Sequence, residues 1–113
     1  VFIRAQSNGF PGDIARFLSP ALKTSIPMCL LFKIRLSSAN AGVLSVCRKL
    51  FFNENPTLDC NNWSSSVSNF QLLTWTEVKV SLSALDIEFR IVFQATKGEG
   101  EGYIDVDNIY KID

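Results

Sequence analysis

Apolar and polar residues alternate with period two through most of this chain, and that rhythm restricts its fold more than any other feature. In "LLFKIRLSS" Leu30, Phe32, Ile34 and Leu36 fall on one side and Lys33 and Arg35 on the other. Strand side chains point to opposite faces in turn, so this is the pattern of a strand with one face buried and one face wet. "TEVKVSL" places Val78, Val80 and Leu82 inward, and "IEFRIVFQA" does the same with Ile87, Phe89, Ile91, Phe93 and Ala95. "GVLSVCRKLFF" fits with Leu44, Val46 and Leu50, and "YIDVDNI" fits with Ile104 and Val106. The intervening "SSANAG", "NENPT", "NNWSSSVSN" and "KGEGEG" have loop compositions, and a helix is expected only as a turn near "PGDIARFL". Short half-buried strands at regular intervals predict an all-β fold, a sandwich or barrel of antiparallel strands. The shared phase predicts a core of Phe32, Ile34, Val80, Phe89, Ile91 and Phe93.

At 113 residues the chain is read as one domain over 1–113. Eleven basic residues balance eleven acidic ones, with no run of like charge, which argues against nucleic acid or an anionic membrane surface as the partner. No apolar stretch is long enough to span a bilayer. The opening "VFIRAQ" reads as a strand rather than a secretion signal, so an excised or mature segment is expected. Histidine is absent altogether. That removes the commonest general base, the His-activated nucleophiles and most zinc sites.

Three cysteines cannot all pair within one chain. Cys47 ends a strand and Cys60 follows the Asn/Pro loop, a hairpin-sized separation that a disulfide can close; two buried thiols are the alternative. Cys29 is then left over. Asn62-Trp63-Ser64 is a glycosylation sequon expected in a solvated loop. Trp63 has two readings, an exposed interface anchor or a cover over the disulfide. With Asn61 and Asn62 it is also the one combination suited to a sugar.

The last strand carries Asp105 and Asp107 on one face, about 6.5 to 7 Å apart, a spacing that inverting glycosidases use. The E-x-D-x-x-E strand motif of sandwich-fold glucanases does not fit, because Tyr103 and Asn108 stand where its glutamates belong. No catalytic residues are expected. Asp105 reads as a solvated outward side chain.

In order, Ala15-Arg16-Phe17-Leu18-Ser19-Pro20, Cys29-Leu30-x-Phe32, Gly42-x-Leu44-x-Val46, Trp75-x-x-Val78-x-Val80-x-Leu82, Phe89-x-Ile91-x-Phe93-x-Ala95 and Gly102-x-Ile104-x-Val106-Asp107-Asn108-Ile109 resemble the MAM domain. This is the extracellular module of meprins, neuropilins and receptor tyrosine phosphatases. The resemblance covers roughly residues 10 to 110. It implies a jelly-roll sandwich of two antiparallel sheets, noncatalytic, that serves adhesion or receptor assembly. The partner would be another protein, homophilic or not, and the parent protein would be cell-surface or secreted. A lectin-type carbohydrate-binding sandwich is the alternative. The resemblance leads to the expectation that the family's N-terminal segment, with its early cysteine pair, is not part of this chain, and that Cys29 has its family partner beyond the final strand. The resemblance also implies a calcium or sodium ion held by Asp107 with Asp13 and Asn108, against a purely structural role for Asp107.

Overall fold

A computed structural model describes residues 2–6, 9–52, 55–67 and 70–112. Its strands are β1 (Ile3–Gln6), β2 (Ile14–Leu18), β3 (Leu22–Thr24), β4 (Met28–Leu36), β5 (Gly42–Phe52), β6 (Asn55–Ser64), β7 (Thr76–Leu82), β8 (Leu85–Lys97) and β9 (Tyr103–Ile112). A 3₁₀ turn, Ser65–Val67, follows β6. The strands form two antiparallel sheets, one ordered β1-β9-β4-β7 and the other β2-β8-β5-β6, with β3 also paired to β8. The two sheets form a sandwich in which the alternating apolar residues of both inner faces meet, as the period-two pattern requires. No helix is long and apolar enough to cross a membrane among the described residues.

All six expected core residues are buried, Phe32 and Ile34 to 1% exposure and Phe89 to 0%. Aromatic rings lock the two sheets together. Phe32 of one sheet meets Phe93 of the other edge to face at 5.1 Å between centroids, and Phe93 stacks on Phe17 at 4.8 Å. Such contacts add to the area buried, because the ring quadrupole favours these geometries. Gly42, at φ 142, opens β5 where a Cβ would collide with the Thr96 carbonyl, so only glycine lets β5 approach β8 there.

Three local expectations are corrected. "PGDIARFL" is no helical turn, because Ile14–Leu18 is the strand β2, paired to β8 from Ile14↔Thr96 to Leu18↔Val92. The Asn-rich "NNWSSSVSN" does not begin as a loop. Residues 61–64 belong to β6, while 53, 54, 68 and 69 of the two expected loops lie outside the described residues. Pairing of β6 with β5 overrides loop composition here, with a register shift between Val46 and Arg48 that absorbs the extra residues. The third concerns β5, where Arg48 takes the inward position between Val46 and Leu50 and is 4% exposed.

Candidate functional site

The structure places Asp105 where the sequence did not. It is 0% exposed, not solvated. Antiparallel register sets Arg4 of β1 opposite Asp105 on one side and Arg35 of β4 opposite it on the other. Directly opposed side chains in a sheet lie within reach of one another. Arg4 donates Nε–H to Asp105 Oδ1 at 2.8 Å and Nη2–H to Oδ2 at 3.2 Å. Arg35 donates both Nε–H and Nη2–H to Oδ2, at 3.0 and 2.8 Å. A buried carboxylate is tolerated only when paired and hydrogen-bonded, and here two guanidinium groups meet that need. Hydrogen bonding to Asp105 also holds the Arg4 guanidinium charged more firmly than usual.

Aromatic side chains complete the cluster on the outer face of this sheet. Tyr103 lies two residues before Asp105, and Phe2 two before Arg4, so period two returns each to the same face. Trp75 precedes Thr76, which pairs with Ile34, and so extends the row beside Arg35. The Arg4 guanidinium sits 3.7 Å from the Tyr103 ring centroid and 5.2 Å from that of Phe2. Arg35 sits 4.4 Å from Trp75 and 5.2 Å from Phe2. Phe2 meets Trp75 edge-on at 5.7 Å. The result is a ladder, Trp75, Arg35, Phe2, Arg4, Tyr103, in which rings and cations alternate over one buried carboxylate. Its rungs reach solvent, since the Arg4 and Arg35 side chains are 35% and 22% exposed and Phe2 is exposed. Each cation–π contact is favourable, more so where water is partly excluded.

This geometry bears on the chemistry open to Asp105. Both of its oxygens are engaged by arginine and neither faces solvent, so it has no free edge to offer a substrate.

The sequence-predicted site residues fall elsewhere. Asp107 is half-buried on the same outer face, and its Oδ1 accepts the Asn108 N–H at 2.8 Å. Asn108 adopts φ 53, the left-handed region that asparagine tolerates better than most residues. It is the extra residue of a bulge, since Asp107 pairs with Lys33 while Tyr110 pairs with Leu31. Asp13 belongs to the other sheet's side, just before β2, and its Oδ2 accepts the Phe10 N–H at 2.9 Å. Among the described residues no group of three or more His, Cys, Asp or Glu is placed to hold a metal ion.

Cys47 and Cys60 form the expected disulfide across β5 and β6, and Cys29 is free, 4.0 Å from the Ser81 hydroxyl. Asn62 is in strand β6, not in a loop; it is half-buried, and its Nδ2 donates to the Asp59 carbonyl at 3.1 Å. Trp63 is not an exposed anchor. It packs against the core, edge-on to Phe32 at 5.4 Å and to Phe70 at 6.3 Å. That placement also removes the ring on which a sugar-binding reading of Trp63, Asn61 and Asn62 depended.

Sequence reasoning missed Arg4, Arg35 and Phe2. Their signal is present as outward phase in and just before β1 and in β4, but the pairing with Asp105 joins positions 101 and 70 residues apart. No local pattern reveals that.

The fold has solved counterparts at low identity. The chain is similar to a structure titled "Family 16 Carbohydrate Binding Module-2", with TM-score 0.68 and 15% identity over 99% of this chain and 76% of that one. It is similar to the K1 cleaved adhesin domain of Lys-gingipain from Porphyromonas gingivalis W83, with TM-score 0.66 and 17% identity over 98% and 73% of the two chains. A third, from work on carbohydrate-binding modules of the β-sandwich superfamily, gives TM-score 0.54 and 14% identity over 99% and 41%. At such identities the likeness shows the fold alone. No curated protein matches in sequence. The family model described as MAM domain, meprin/A5/mu, matches residues 1–112, and by that match this chain belongs to the MAM domain family.

Proposed function

We propose that this domain is a noncatalytic, extracellular protein-interaction module, and that it docks through the outer face of the β1-β9-β4-β7 sheet. One observation carries the reading, the solvent-reaching ladder of Trp75, Arg35, Phe2, Arg4 and Tyr103 held rigid over Asp105. Trp, Tyr and Arg are the residue types that dominate binding energy at protein interfaces, and pre-ordering them lowers the entropy lost on docking. The disulfide and membership of the MAM family support an extracellular setting. Structural likeness to carbohydrate-binding modules raises the lectin reading. The ladder does not favour it, because its ring faces are taken by guanidinium groups rather than left open to a sugar ring.

The test uses a bivalent fusion of the whole chain bound to a panel of cell lines by flow cytometry. Trp75→Ala and Arg4→Ala are expected to lower binding about tenfold or more, with folded circular dichroism spectra. Surface protease should remove the binding and glycosidases should leave it. Ladder variants that bind like the parent would overturn the reading, and loss only after glycosidase would establish the lectin alternative. When the fusion is secreted from a glycosylating host, a mass difference between the parent and Asn62→Gln is expected to report a glycan at Asn62.

A further inference from the structure

The ladder is one band of a charge-striped face. Register stacks the outward side chains of this sheet in rows, spaced by the two-residue repeat of about 6.5 to 7 Å. The first row holds Arg4, Asp105 and Arg35, two cations against one carboxylate. In the next, Lys33 lies opposite both Asp107 and Glu77, one cation between two carboxylates. The row after that carries Lys79 opposite Leu31, with Tyr110 on its other side. The sequence's zero net charge hides this order, in which positive, negative and positive rows succeed one another.

Among the described residues the first row also leaves donors unengaged. A guanidinium is a planar fork, and both arginines turn the Nε and Nη2 edge toward Asp105. Their Nη1 groups therefore point away from that carboxylate, and neither has a hydrogen-bond acceptor among the described residues. Flanking rings limit water around them, which strengthens a new charge-assisted bond.

Resting on the interaction reading above, we infer that the partner is a protein surface striped in the opposite sense. A carboxylate binds the outer Nη1 edges of Arg4 and Arg35, and a cation about one pleat repeat away meets Asp107 and Glu77. The pattern selects the partner through the order of its charges rather than through their sum. A reversed order would set like charges against each other, which is how interfaces reject wrong partners.

The probes are two capped peptides of equal net charge, Glu-Thr-Lys-Thr-Glu and its order swap Glu-Thr-Glu-Thr-Lys. Each is titrated into the ¹⁵N-labelled chain while the arginine Nε–H, Trp75 indole and backbone resonances are followed. The first is expected to move the Arg4, Arg35 and Trp75 signals and to bind roughly threefold or more tighter than the swap. Raising the salt from about 0.05 to about 0.5 M should erase the difference. Arg35→Gln should remove it, and so should Glu77→Lys, whose exposed site leaves the Asp105 cluster intact. Equal binding of the two peptides overturns the inference, as do tighter binding of sialyllactose at the same arginines and salt-sensitive dimerisation of the chain without peptide. If cell binding depends on the ladder while the peptides do not discriminate, the interaction reading stands and only the striped partner fails. If cell binding ignores the ladder, both fall.

Discussion

Asp105 and Asp107 are two residues apart on one strand face, yet the structure gives them opposite weights. Asp105 is fully buried and takes four arginine hydrogen bonds, whereas Asp107 caps one local N–H. Removing one side of a buried charge network is costly, although partly exposed arginines can rehydrate. Asp105→Ala is therefore expected to lose about 3 kcal/mol, at the low end for such networks, and Asp107→Ala about 1 kcal/mol or less. Chemical denaturation of both variants would check this, and a larger loss for Asp107→Ala would reverse it. Arg48 is a different case. It donates Nη2–H to the Ser83 carbonyl at 2.8 Å and lies 5.1 Å from the Phe89 ring, but its buried Nε–H has no partner among the described residues. Burial lowers its pKa, opposed in part by the charge of Asp59. Folded Arg48 thus holds its proton less tightly than unfolded Arg48. Stability from this group therefore rises with pH only in the strongly alkaline range and is flat near neutrality. Arg48→Met should match or exceed the parent, by up to about 1 kcal/mol, since it keeps the packing and removes the orphan donor. Arg48→Ala should lose about 2 kcal/mol through the cavity it leaves. Unfolding midpoints of the two variants separate these effects.

At the scale of elements, the β5–β6 pair depends on its cross-strand disulfide. The bond joins positions 13 apart in sequence, at the register shift between Val46 and Arg48 where extra residues weaken the ladder of backbone bonds. A closure of this size contributes about 3 kcal/mol in the chain-entropy picture. Cys47→Ala with Cys60→Ala should lose about that much, with the loss absent when parent and variant are compared under strong reductant. Non-reducing mass mapping should find one alkylated thiol, at Cys29. The bulge at Asn108 acts on β9 in a comparable way. It shifts the phase of the last residues, so Ile109 and Lys111 line an apolar cleft of about 350 Å³ between the sheets with Leu18, Leu22, Met28 and Leu30. The motif Asp107-Asn108-Ile109 was legible as a family signature, but its physical content, a one-residue change of face, appears only once β9 is paired.

For the whole molecule, the core is the stack of rings between the two sheets. Phe93 touches both Phe17 and Phe32, so Phe93→Ala should cost about 3 to 5 kcal/mol and broaden the near-ultraviolet signals of the core. A loss below about 1 kcal/mol, measured by denaturant unfolding, would contradict this account of the core. The residues of that core could be read from the sequence because burial of a strand face is written locally, in every second residue, and needs no knowledge of which strands are neighbours. Five of the strands were legible for the same reason, and β1 as the strand-like "VFIRAQ"; alternation left a sandwich or a barrel open, and the family resemblance implied two sheets. Short strands such as β2 and β3 carry too few residues for a periodic signal, and β6 is held by its partner against its own loop-like composition. The outward face is where reading the sequence stopped. An outward Arg or Asp looks alike whether it is solvated or paired, and only register between distant strands brings Arg4 and Arg35 together on Asp105. Alternation by itself determined what lies inside this protein; tertiary pairing decided what its surface can do, because hydrophobic burial is a property of each strand whereas a charge cluster belongs to several strands at once.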